Sequence, residues 1–201
     1  EAKDFLREVP EHQPFMATSC CPAWAAMAKK MFPEFKMYIS MAMSPMVLTA
    51  RMLKMQHPEA KITFVGPCAA KKLEASRRSV RSDVDFVLTF EEIHAMLKGM
   101  NIELGNEHIH AIDCTSCRAA HGFAENGGVT GAVKQFVGDS LDFTSLQIAG
   151  LNKKSVALLK AYGKTGKAPA QFIEVMACEG GCISGPSVHT AYGDGKKTFD
   201  A

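Results

Sequence analysis

Nothing in the sequence is built to cross a bilayer. The longest mostly apolar stretch, Ala23 to Phe35, is broken by Lys29, Lys30 and Pro33, well short of the roughly 20 apolar residues a spanning helix requires. Charge of one sign is lacking too. The 23 Lys and Arg against 21 Asp and Glu leave a net charge of +2, which gives no footprint for nucleic acid or an anionic membrane surface. No basic, apolar and small-residue succession opens the chain as a secretory signal would. It starts at Glu1 without an initiator Met, as a piece of something longer would. Repeats and low-complexity segments are missing. At 47% hydrophobic and 22% charged over 201 residues, the composition is that of a globular protein with enough chain for a sizeable core, and it argues against disorder.

A disulfide framework is also lacking. The seven cysteines stand at 20, 21, 68, 114, 117, 178 and 182. That is an odd number with one adjacent pair, and adjacent cysteines do not readily bridge. The pattern points to a reducing compartment, the cytoplasm, and to metal or redox chemistry.

Apolar periodicity alternates helix with strand. Helices are predicted over Ala23–Phe32, closed by Pro33, and over Pro45–His57, closed by Pro58. Further helices are predicted over Glu91–Lys98, Val129–Val137 and Lys154–Tyr162, and strands over Ile62–Val65, Asp85–Thr89, Leu146–Ile148 and Phe172–Met176, the first and last of these reading as buried. Such alternation predicts an α/β fold with mainly parallel sheets flanked by helices, whose sites gather at the carboxyl ends of strands. Cys68 and Cys178 follow two of those strands, so both are expected at one sheet edge. Gly163–Pro169 reads as a linker.

Three cysteine motifs carry the chemistry. In Thr18-Ser19-Cys20-Cys21-Pro22-Ala23-Trp24, two adjacent thiols point apart, so one can ligate a metal centre and the other is left for different work. Gly66-Pro67-Cys68-Ala69-Ala70-Lys71-Lys72-Leu73-Glu74 brings Lys71 to the face of Cys68 if a helix starts there. In Glu174-Val175-Met176-Ala177-Cys178-Glu179-Gly180-Gly181-Cys182-Ile183-Ser184-Gly185-Pro186, the two glycines leave room for a bulky inorganic group. One thiol from each of the first two motifs and two from the third make four thiolates, the ligand set of a [4Fe–4S] cubane and also of structural zinc.

The segments TSCCPAW, GPCAAKKLE and EVMACEGGCISGP resemble, in order and rough spacing, the three signature motifs of the [FeFe]-hydrogenase catalytic domain. The resemblance implies two lobes around a buried metal cluster, roughly 1–60 with 140–201 and 61–139. It implies a [4Fe–4S] cluster on Cys21, Cys68, Cys178 and Cys182. Cys182 would bridge to a diiron subcluster with CO, CN⁻ and azadithiolate ligands, where 2H⁺ + 2e⁻ ⇌ H₂ is catalysed. Cys20 matches the thiol that passes protons to the azadithiolate, Lys71 the lysine on a cyanide, and Met176 a methionine beside the diiron unit. Ser44 matches a serine near the dithiolate and Phe123 an aromatic wall. With one residue deleted before Cys20, Glu1, Asp4 and Ser40 complete a proton route, Asp4 standing where the family usually has Glu. Implied partners are a ferredoxin or other electron carrier and the hydrogenase maturation proteins, with no nucleic acid.

Gly66 replaces a common Met, Met46 a common Gln, and Gly185-Pro186 a glycine run. The accessory ferredoxin-like clusters and the early and closing parts of the domain have no counterpart, so the likeness is to its central portion, in a less-studied branch. Two other readings are a hydrogenase-like iron–sulfur protein without the diiron site and a slow-turnover hydrogen sensor.

Other features have plainer readings. Cys114 and Cys117 read as reduced thiols at a turn, with a redox role as the alternative, and His108 and His110 as exposed positions on a strand. Met27, Met31, Met52 and Met55 fall at helical core spacing. Lys71, Lys72, Arg77, Arg78 and Arg81 read as a solvated basic face that could dock an acidic carrier. Gly127-Gly128-Val129 could cradle an anion at a helix start.

Overall fold

The computed structural model describes residues 1–103, 105, 122–138 and 142–200. Cys114, Cys117, His108, His110 and His121 lie outside the described residues. In chain order the elements are α1 (Ala2–Glu8), β1 (Met16–Ala17), α2 (Pro22–Met31), a 3₁₀ turn (Pro33–Tyr38), α3 (Pro45–Gln56), β2 (Thr63–Gly66), α4 (Ala70–Ser76) and β3 (Phe86–Thr89). They continue with α5 (Phe90–Gly99), a 3₁₀ turn (Gly122–Ala124), α6 (Gly128–Val137), β4 (Ser145–Ala149), α7 (Lys153–Thr165), β5 (Phe172–Met176), a 3₁₀ turn (Cys182–Ser184) and α8 (Tyr192–Asp200).

Two parallel sheets carry the fold, as the alternating pattern implies. One has the order β1-β5-β4 and the other is β2-β3. Every residue of β5 is buried, which suits a central parallel strand covered on both faces. On one face Trp24 and Ala28 of α2, Leu159 of α7, and Phe35 join Ile173 and Val175 in a core. On the other, Phe5 of α1 and Val129 and Val133 of α6 close over Met16, Phe172 and Met176. Residues 128–137 thus pack with the three-stranded sheet, although in sequence they fall in the segment 61–139.

Local chemistry fixes the helix ends. Pro22 and Pro45 occupy first-turn positions behind Cys21 and Ser44, Thr89 and Glu92 form a capping box on α5, and Asn152 caps α7.

Several expectations need correction. Cys68 and Cys178 leave the carboxyl ends of strands from two different sheets, not of one. Strand β2 is not buried: Thr63 and Val65 are exposed, because β2-β3 is a two-stranded sheet. Gly163–Pro169 is no linker, since α7 runs to Thr165 and a Cβ on Gly163 would stand 2.9 Å from the Phe35 Cβ. Met31, Met52 and Met55 are exposed, because α2 and α3 turn Trp24, Ala25 and Ala28, and Met46, Val47 and Ala50, inward instead. The basic stretch is partly consumed inside the fold: Lys71 pairs with Glu74, and Lys72 with Glu92 and the Val87 carbonyl.

Candidate metal centre

Parallel strands end together, so the loops that follow them share one end of each sheet. Cys21 lies just past β1, Cys68 past β2, and Cys178 and Cys182 past β5. The three loops are sewn to one another. The Val175 N–H donates to Thr18 Oγ1 at 3.1 Å and Trp24 Nε1 donates to the Thr18 carbonyl at 3.1 Å, which joins the first motif to the third. The Lys71 ammonium donates to the Cys20 carbonyl at 3.3 Å and to Glu74 Oε2 at 2.8 Å, joining the second motif to the first. The Ser187 N–H donates to the Pro67 carbonyl at 3.3 Å. There the backbones approach so closely that a Cβ on Gly185 would lie 2.6 Å from the Pro67 oxygen. Gly181, at φ 94°, needs its missing side chain twice over, because a Cβ would also meet the Ala124 carbonyl oxygen at 2.7 Å.

Cys20, Cys21, Cys68, Cys178 and Cys182 are all free and half-buried. Burial, reinforced by the charges of Cys21 and Cys68, raises the Cys178 thiol. The same causes push Cys182 to about 11, against a small opposing pull from Lys71. The four thiols therefore sense one another, and a cationic centre among them would relieve that repulsion. Among the described residues no three His, Cys, Asp or Glu side chains gather tightly enough to hold a single metal ion. Four thiolates drawn from three loops are the donor set of a [4Fe–4S] cubane.

At Cys20 lies a cavity of about 500 Å³ whose lining is mostly apolar. Cys20 and Glu1 open into it, with Met43, Leu48, Phe123 and Phe136 among its walls. Cys20 is raised well above an ordinary thiol, first by burial and then by the charges of Glu1, Cys21 and Glu174, with Lys71 opposing. Burial likewise raises Glu1 against hydrogen bonds from the Ser19 backbone and hydroxyl. Glu1 Oε1 accepts from Ser19 N at 2.7 Å and stands 2.9 Å from Ser19 Oγ, while Oε2 is buried with no partner. Ser19 Oγ also lies 2.7 Å from the Ala42 carbonyl. One hydroxyl proton cannot serve both acceptors at once, so Ser19 Oγ donates in turn to the Glu1 carboxyl and to the Ala42 carbonyl.

Further out, Ser40 Oγ donates to Asp4 Oδ2 at 2.6 Å, Met41 N donates to the same oxygen at 3.0 Å, and Arg7 pairs with Oδ1. Glu1 and Asp4 thus head two hydrogen-bonded units that share Ala42, whose carbonyl accepts from Ser19 Oγ and whose N–H donates to Ser40 Oγ at 3.0 Å. Of the other expected residues, Phe123 lines the cavity. Ser44 caps α3 by accepting from Val47 N at 3.5 Å, and Met176 is buried against the Phe5 and Val129 cluster. The ties made by Thr18 and Ser19 are not visible in sequence, where the only signal is their place in the first motif.

Residues 1–186 match the family model described as iron only hydrogenase large subunit, C-terminal domain. Iron hydrogenase 1 of Clostridium pasteurianum is 29% identical over 228 aligned positions, which cover 92% of this chain and 40% of that protein. The cytosolic Fe-S cluster assembly factor narfl of Danio rerio is 30% identical over 218, covering 85% and 53%. The chain therefore spans about half the length, or less, of these curated relatives. A variant of [FeFe]-hydrogenase HydA1 from Chlamydomonas reinhardtii shares the fold with a TM-score of 0.74 at 21% identity, over 98% of this chain and 69% of that one.

Proposed function

Because the chain belongs to the family of C-terminal domains from iron-only hydrogenase large subunits, we propose that it forms the H-cluster region of an enzyme that interconverts 2H⁺ + 2e⁻ and H₂. The observation that carries this reading is the cavity lined by Cys20, the neighbour in sequence of the ligand candidate Cys21. A protein that stores only a cubane needs four thiolates; it does not need about 500 Å³ of mostly apolar space with a thiol and a carboxyl, both held toward their protonated forms by burial, opening into it.

Cys21, Cys68, Cys178 and Cys182 would hold the [4Fe–4S] cluster, with Cys182 also reaching the diiron subcluster. Phe123 would wall that subcluster, while Ser44 and Met176 would support its surroundings. Lys71, already fixed by Glu74, would hold its ammonium toward an anionic ligand. When bound, the diiron subcluster with its CO, CN⁻ and azadithiolate ligands supplies the metal site at which protons and electrons combine.

This chain's residues supply the protons. Cys20 keeps its proton at neutral pH because burial disfavours the thiolate, and it faces the cavity. Glu1, also held toward its protonated form, stands behind it with a free oxygen to pass a proton on. Ser40 and Asp4 form the outer pair, and a water or a turn of the Glu1 carboxyl joins the two units. Electrons would come from a ferredoxin or another carrier, the diiron unit from maturation proteins, and the reducing setting from the cytoplasm.

Replacing Cys20 by Ala is expected to lower H₂ production by at least about 100-fold while iron and sulfide content hold; unchanged turnover would remove the proton route. Cys182→Ser is expected to abolish H₂ production, and undiminished production would refute the ligand assignment. The likeness to a cytosolic Fe-S cluster assembly factor favours one second reading, a cubane-only protein, for which iron and sulfide would load but no diiron unit.

A further inference from the structure

The helix start expected to cradle an anion holds one, and it belongs to the chain. Glu174 sits in the middle of β5 with no exposed surface. Its Oε1 accepts from Gly127 N at 2.8 Å, and its Oε2 accepts from Thr130 N at 2.7 Å and from Thr130 Oγ1 at 2.6 Å. No side chain of α6 caps that helix: the N-cap is Gly127, at φ 91°. A carboxylate meeting unpaired N–H groups at the positive end of a helix makes charge-assisted bonds, and there it replaces the missing cap. Opposite that contact the turn before α6 is drawn tight. A Cβ on Gly128 would overlap the Gly122 carbonyl oxygen at 1.7 Å, so the segment bearing Phe123 is clamped to the segment bearing Val129.

The consequence reaches the cavity. Phe123, Val129, Val133 and Phe136 line it together with Cys20, and all four ride on the segment that Glu174 pins. Glu174 itself does not line the cavity. We infer that Glu174 is a positioning residue, a remote cap delivered by the central strand that sets the α6 wall of the cavity against Cys20. Its place in the third motif, two residues before Met176 and four before Cys178, lets one strand fix both the cluster loop and the α6 wall. The value of that wall to catalysis rests on the hydrogenase reading; the geometry does not.

Glu174→Gln keeps the volume and turns one acceptor into an NH₂ group facing a backbone or hydroxyl donor. In the 201-residue chain carrying its reconstituted iron–sulfur cluster, the first-turn amides of α6 should exchange with deuterium at least tenfold faster. Cys20, identified by peptide mass, should be alkylated several-fold faster, while α7 amides keep their protection. Glu174→Asp, which keeps the charge with a shorter reach, should lie between Gln and wild type. Should the Gln variant fail to fold, Thr130→Val, which removes a single bond, should move both readouts the same way by less. Unchanged α6 exchange and unchanged Cys20 labelling would overturn the proposal. So would loss of protection spread equally over α6 and α7, the mark of a merely structural role. Wild-type protein lacking CO and CN⁻ infrared bands would instead count against the hydrogenase reading and leave the exchange result standing.

Discussion

Strands β5 and β2 perform the same task in opposite surroundings. Each ends by delivering a cysteine, Cys178 or Cys68, to the same region. Yet β5 is buried along its whole length between two cores, while β2 leaves Thr63 and Val65 in solvent. Short apolar runs of similar look in sequence therefore end in different environments. The number of neighbouring strands decides burial, and the run itself does not encode that number. The centre is thus held rigidly from one side, by β5, Thr18 and Glu174. From the other it is held by a thinner element secured through Lys71 and Gly185.

That contrast predicts a gradient of mutational cost. Ile173→Ala, in the fully buried strand, should destabilise the chain by about 2–5 kcal/mol, read as a lower urea midpoint; a loss below about 1 kcal/mol would mean the core on β5 is not what holds the fold. Thr18→Val keeps the shape but leaves the Val175 N–H without its acceptor, for about 1–3 kcal/mol. On the thinner side, Lys72→Ala breaks an exposed ion pair with Glu92 and should cost no more than about 1 kcal/mol. Val65→Thr, on the open face of β2, should stay within about 0.5 kcal/mol of wild type. Equal costs for Ile173→Ala and Val65→Thr would erase the distinction between the two strands.

Acidity separates the two sides as well. The folded Cys182 thiol is raised to about 11, so the folded chain holds that proton more tightly than the unfolded one. Its contribution is complete below the unfolded thiol's pKa, near 9, and is lost as pH rises toward 11. The metal-free chain should show a Tm that falls between pH 9 and 11, and Cys182→Ser should lessen that slope, the raised Cys20 and Cys178 thiols supplying the rest. A Tm that is flat across this window in the wild-type chain would mean the thiol is not perturbed.

Much of this was legible in the sequence, and what was missed has a physical pattern. Helix limits at Pro33, Pro45 and Pro58 and the strand before Cys178 follow from local rules, since caps, prolines and apolar runs act within a few residues. The polar ties that build the site do not. Thr18 finds Val175 across the sheet, and Glu174 finds Thr130 across 44 positions; neither partnership leaves a spacing in sequence. Met52 and Met55 show the converse failure, because helical spacing names a face of α3 without saying whether anything covers it. The residues expected in a proton route illustrate both at once: Ser40 donates to Asp4, while Glu1 turns to Ser19, and neither pairing is spelled out by spacing.

The central claim is that the cavity lined by Cys20 receives a diiron unit, and an infrared spectrum tests it directly. Protein purified anaerobically and loaded with iron, sulfide and a synthetic diiron complex should show sharp CO and CN⁻ bands, and the Cys182→Ser variant should not. Full iron and sulfide content without those bands in the wild-type protein would contradict the claim and leave a cubane alone.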